Sequence, residues 1–154
     1  MKKLLMIFPL VILLCLNFGC PQGEETAEEQ SVDVEADVKA IRTFYDDVTK
    51  VFNEGDLERL MALFDGDAVL MPPRKPFIIG KEAIHDYYHF DQVTYDVAIS
   101  IDEIQIRGNR VYVRFTWAGT RTRGEETKEV DHYEGDILQK GPDGSWKSLY
   151  AIWY

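Results

Sequence analysis

His132, Glu134 and Asp136 are the residues of this chain best placed for chemistry, because ionisable side chains recur there at every second position. On an extended segment that spacing sets all three on one face, at steps of about 7 Å. Such a row suits mutual hydrogen bonding, with raised carboxyl pKa values and an imidazole that stays charged, a combination common at functional sites. His132 and Asp136 would then be the acid and base of a lyase or isomerase, with a bell-shaped pH–rate profile. The opposite alternation turns Tyr133 and Ile137 inward and leaves the acids in water; the residues alone leave both open. As metal ligands the three fit poorly, since positions in a line do not match the clustered geometry zinc prefers.

Other candidates carry less. His85 and His89, four apart on a helix, could face one another as a metal pair, but no third ligand lies nearby and Lys81 and Asp86 make the segment surface-like. Tyr87-Tyr88-His89-Phe90 would line a pocket rim or pack under a loop. Arg121, Thr122 and Arg123 read as a solvated basic loop. No Ser-His-Asp or Cys-His nucleophile, phosphate loop or dinucleotide fingerprint occurs, so neither a cofactor nor a metal is expected.

Helices and strands must position these groups. Val38, Ile41, Phe44, Val48, Val51 and Phe52 form a stripe of threes and fours, the signature of an amphipathic helix. Gly55 suits its left-handed end and Asp56 can cap the next helix, whose buried side is Leu57, Leu60, Met61 and Phe64. Asp65-Gly66-Asp67 turns into a brief strand, Ala68-Val69-Leu70-Met71, closed by Pro72-Pro73. A third helix runs from Lys81 to about His89, burying Ile84 and Tyr88. From Val97 the period becomes two, and Ile104 and Ile106 resume one residue out of phase. A β-bulge at Asp102-Glu103 would absorb that slip. Three more strands follow: one through Val111, Val113, Phe115 and Trp117, one from Val130 to Gln139 after a polar loop at 121–128, and one from Trp146 after the hairpin Gly141-Pro142-Asp143-Gly144. The plan is α+β, with one sheet wrapped around the helices; a flat sheet would leave Trp117 and Trp153 without a core.

Phe52-Asn53-Glu54-Gly55-Asp56, Met61-Ala62-Leu63-Phe64, Asp67-Ala68-Val69-Leu70-Met71-Pro72-Pro73, Gly80-Lys81-Glu82-Ala83-Ile84 and the closing Asp143-Gly144-Ser145-Trp146-Lys147 with Ile152-Trp153 carry a resemblance. In this order and spacing they resemble the SnoaL-like group of the nuclear-transport-factor-2-like superfamily, over about residues 36–154. The resemblance implies a cone: three helices packed on a curved, mostly antiparallel sheet, with a pocket at the wide end, often as a dimer. It also points Val113, Phe115, Trp117, Leu149, Ala151 and Trp153 inward, and with them His132, Glu134, Asp136 and Leu138. Against the ketosteroid isomerase branch, the place of the proton-moving carboxylate holds Pro72 and the place of the oxyanion-binding phenol holds Val48. Only the third group, at Asp136, has a counterpart. Close relatives often carry Asp before the Ile-Trp pair, where this chain has Ala151. Fold alone does not assign function, and steroid-type proton transfer is unsupported.

The first nineteen residues do not belong to that domain. Lys2 and Lys3 precede an apolar run from Leu4 to Leu16 that Pro9 interrupts and that is too short for a bilayer, which takes about 20 residues. Small Gly19 before Cys20 resembles a bacterial lipoprotein signal, which implies acylation of Cys20 and attachment to the cell envelope outside the cytoplasm. Asn17 departs from that family's aliphatic preference. Pro21 after Cys20 lacks the usual inner-membrane retention cue of Gram-negative bacteria. Without residues 1–19 the chain has 15 basic and 27 acidic residues, a charge of −12. Seven acids and no base lie in residues 21–37, so residues 20–35 read as a solvated, self-repelling linker. No long basic run occurs, which argues against nucleic acid as a partner. With Cys15 and Cys20 spoken for, no disulfide is available.

The expectation is therefore an exported, lipid-anchored SnoaL-like domain that binds a small, partly apolar molecule without established catalysis. Tyr88, Phe115, Trp117 and Trp153 would supply apolar walls, and His132, Glu134 and Asp136 would orient a polar group. The alternatives are the His132/Asp136 enzyme and a non-catalytic module in which the outer sheet face pairs two copies.

Overall fold

The computed structural model describes residues 33–153. The expected export signal, Cys20 and most of the expected acidic linker lie outside the described residues. Helix α1 (Val34–Glu54) starts because the Asp33 side chain accepts from the Ala36 N–H at 3.1 Å. The helix thus begins two residues before residue 36, where the family resemblance starts. Asp37, which composition counted with the solvated acids, is buried and held by Lys140 at 2.6 Å. Gly55 ends α1 at φ 66, its N–H bonded to the Phe52 carbonyl.

Helix α2 (Leu57–Leu63) is capped by Asp56, whose carboxylate accepts from the Arg59 N–H at 3.0 Å. Strand β1 (Phe64–Met71) starts earlier than the alternation indicated: Asp65, Gly66 and Asp67 belong to it, at a break in its register with the last strand. A two-residue strand, β2 (Ile78–Ile79), pairs along its edge and has no counterpart in the sequence reading. Helix α3 (Lys81–Tyr87) stops two residues short of His89.

Three long strands follow, β3 (Thr94–Arg107), β4 (Arg110–Arg123) and β5 (Glu126–Lys140), then β6 (Trp146–Trp153). The register of β3 on β4 slips between Ile101 and Glu103, at the bulge the sequence phase requires. Residues 121–128 are not a loop. Thr122 faces Thr127, with hydroxyls 2.9 Å apart, and only Gly124 and Glu125 turn the chain. These strand ends are polar because they extend past the core, and polarity alone resembled a loop.

The sheet order is β2-β1-β6-β5-β4-β3, parallel only between β1 and β6. It is a curved, mixed sheet wrapped on the helices. Gly119 on β4 pairs with Val97 on β3: at φ 144, a Cβ there would meet the Asp96 carbonyl at 2.1 Å. Asn53 ties α1 to the sheet with two 2.9 Å bonds to the Val97 backbone. The core holds Ile41, Val51, Leu60, Leu70, Val113 and Leu138 between helices and sheet. All of this lies within Val32–Tyr154, one compact unit with its own core. Among the described residues no helix is long and apolar enough to cross a membrane.

Candidate functional site

The curved sheet and the C-terminal half of α1 enclose an open cavity of about 740 Å³. Its apolar wall follows from strand parity. Phe115 and Trp117 on β4 point to the concave side, as do Phe44, Val48 and Phe52 at helical spacing on α1. Phe52 is the centre of an aromatic cluster, with ring centroids 4.9 Å from Trp117, 5.6 Å from Tyr88, 5.2 Å from Phe90 and 5.3 Å from Tyr95. Such tilted pairs contribute about 1 kcal/mol each beyond their burial, which keeps the wall in place without a ligand.

All seven residues proposed from sequence for the pocket line this cavity: Tyr88, Phe115, Trp117, His132, Glu134, Asp136 and Trp153. On β5 the concave side carries His132, Glu134 and Asp136, while Tyr133 is 61% exposed on the other face, so the reversed alternation does not occur. The expected inward set on β6 is only partly present. A register slip between β5 and β6 makes Leu149 the extra residue, and Ser148 lines the cavity in its place. A bulge of this kind leaves no mark in the apolar pattern.

Each member of the row has its own partner. The His132 ring stacks on Trp117 at 6.4 Å, and its Nε2 lies 3.8 Å from Glu134. The Trp117 indole N–H donates to the Glu134 carboxylate at 2.6 Å. Deepest, the Tyr45 hydroxyl donates to Asp136 Oδ2 at 3.0 Å, while Asp136 Oδ1 has no partner. Burial above all, then the nearby Glu134 charge, pushes the Asp136 carboxyl well above the usual carboxylate range; the Tyr45 hydrogen bond pulls the other way. Burial and the Asp136 charge raise the Tyr45 phenol well above its ordinary value, so it remains a donor. Burial likewise raises Tyr88. His132 and Asp136 stand four residues apart on one strand, about 13 Å, so they could flank a bound molecule but do not touch.

Several site residues escaped the sequence reading. Tyr45 precedes Val48 by three positions, nearly one turn, and brings a phenol to Asp136 from the same helix face. Ser148 contributes a buried hydroxyl without a partner. Arg121 and Arg123, taken for a solvated loop, line the cavity mouth with Lys75, whose ammonium sits 5.0 Å over the Tyr87 ring. The signal for the two arginines was present, since both continue the parity of Trp117. His85 contacts Glu58 and Asp86 on the surface, away from His89. Among the described residues, no three His, Cys, Asp or Glu side chains stand close enough to hold a metal.

Residues 37–147 match the family model described as a SnoaL-like domain. The chain belongs to that family. Among solved structures, it is similar to a ketosteroid isomerase-like protein from Erwinia carotovora atroseptica, at 26% identity and TM-score 0.69, over 76% of this chain and 94% of that one. A conserved protein from Planctomyces limnophilus superposes with TM-score 0.70 at 22% identity, over 77% and 94% of the two chains. A nuclear-transport-factor-2-like protein of unknown function from Shewanella oneidensis gives 0.63 at 16%, over 76% and 98%. The last two show the fold alone. Comparison with curated proteins finds no match.

Proposed function

We propose that this SnoaL-like domain binds a small, partly apolar molecule carrying a hydrogen-bond acceptor, such as a carbonyl. One observation carries the reading: Asp136 is buried beside an open cavity, and among the described residues it has no counter-ion and its Oδ1 has no partner. Burying such a group costs free energy that only a bound partner or retained proton offsets. A protonated Asp136 donates a hydrogen bond, Ser148 adds a second polar contact, and the aromatic walls take up the apolar body. Likeness to a protein called ketosteroid isomerase-like is consistent with that ligand class.

The test is a titration of tryptophan emission with a panel of apolar ketones, since Trp117 and Trp153 line the cavity. Ala151→Phe, which fills the cavity from β6, should fold and lose binding at least about tenfold. No response from any panel member, or equal binding by Ala151→Phe, would overturn the reading.

A second reading, proton transfer by His132 and Asp136, is favoured by the raised Asp136 pKa. It requires turnover of a ketone or enol with a bell-shaped pH profile abolished in His132→Ala. We also propose that the domain is exported and held at the envelope by acylated Cys20, on the sequence signal alone. Cys20→Ser should abolish incorporation of radiolabelled palmitate by cells expressing the full chain, and undiminished labelling would count against it.

A further inference from the structure

Phe77 and Ile79 are 64% and 67% exposed, the most exposed of the large apolar side chains among the described residues. They flank Ile78, which packs against the core and pairs with Leu70, and both side chains are turned out to solvent. One exposed apolar residue would need no explanation, but two held outward by a fixed backbone suggest a contact surface.

The segment that carries them is opposite in charge to the rest of the chain. Residues 68–81 contain Arg74, Lys75 and Lys81 and no acid, in a protein of net charge −10. Glu82 and Asp86, on α3, mark the limit of this basic segment, and Asp86 lines the cavity together with Lys75. Arg74 is also the only non-glycine residue with positive φ among those described, at 59°, in a turn closed by the Lys75 N–H on the Pro72 carbonyl at 3.4 Å. Glycine would hold that turn more cheaply, so the arginine side chain needs a reason of its own.

From these observations we propose that residues 72–81 dock the domain onto an anionic lipid bilayer. Phe77 and Ile79 enter the interface, and Arg74, Lys75 and Lys81 meet the headgroup phosphates. The chain's overall negative charge opposes docking, but beyond a Debye length of about 8 Å it is screened, so the local patch governs at contact and selects the orientation. A second copy of the chain is a poorer occupant. One Phe and one Ile present far less than the roughly 800 Å² per partner that stable protein interfaces bury. Pro73 and Lys75 line the cavity as well, so docking brings the cavity mouth toward the lipid. The proposal stands independently of the ligand reading above.

Flotation of residues 32–154, the self-contained unit, with phosphatidylcholine vesicles tests it, with and without phosphatidylglycerol. Binding should appear only with the anionic lipid and weaken as salt rises. Phe77→Ser/Ile79→Ser should lower the partition coefficient by about a hundredfold, roughly tenfold per side chain. Arg74→Gly should lower it about fivefold while leaving the melting temperature equal or higher, a combination a structural role for Arg74 would not produce. Absence of flotation with anionic vesicles overturns the proposal. So does undiminished binding by the apolar double variant, or a parent dimer that this variant abolishes in the absence of vesicles.

Discussion

Two aspartates are buried in this domain, and they are buried differently. Asp37, near the start of α1, is 4% exposed and receives the Lys140 ammonium at 2.6 Å, which also lies 5.7 Å over the Trp146 ring. Asp136, against the middle of α1, is 6% exposed and receives only a phenol, with the like charge of Glu134 on the same strand. Each keeps one oxygen without a partner. At Asp37 a cation compensates the burial, and the result pins the helix to the hairpin end of the sheet. At Asp136 nothing compensates it except a retained proton, and the free oxygen belongs to a residue lining the cavity. A buried acid with its counter-ion is part of the architecture; one without it, beside an open space, is the candidate for a site.

Lys140→Met tests the first half of that contrast and should have the largest effect, a loss of about 2 kcal/mol in urea unfolding. Breaking a fully buried pair costs more, but Lys140 is 35% exposed, so solvent softens the loss. Unchanged stability would show that Asp37 needs no cation and remove the contrast. Tyr45→Phe should cost about 1 kcal/mol, the net worth of one buried hydrogen bond, and should push the Asp136 pKa further up because that bond favours the ionised form. An Asp136 titration left unchanged in Tyr45→Phe, followed by NMR, would show that Tyr45 plays no such part. The smallest effect at acid pH is that of Asp136→Asn, near zero where the parent carboxyl is protonated in both states. Above the ordinary value of 3.8 the unfolded state ionises first and the folded state keeps its proton. The parent should therefore lose stability relative to the variant as pH rises, up to the folded pKa. Melting curves in which the parent gains on the variant across that range would place Asp136 in the same class as an acid that has its counter-ion.

Much of the scaffold was legible because its signals are local. The α1 stripe, the left-handed Gly55 and the Asp56 cap lie within a few residues of what they determine. The slip at Asp102-Glu103 could be read because the alternation changes phase there. The bulge that replaces Leu149 with Ser148 could not, since it is defined by pairing with β5. Arg121 and Arg123 were misread because strand ends beyond the core are as polar as loops.

By itself the sequence determined every element but the short β2, their order, the α+β class and which side chains share a face of β5, since periodicity and caps act over one or two turns or strand steps. Only the tertiary structure decided which buried acid received a cation and which faced the cavity. Tyr45 and Asp136 are 91 residues apart, Asp37 and Lys140 103, and no local pattern records who meets across such a distance. Burial and partnership, which separate Asp37 from the candidate site residue Asp136, are properties of the packed chain.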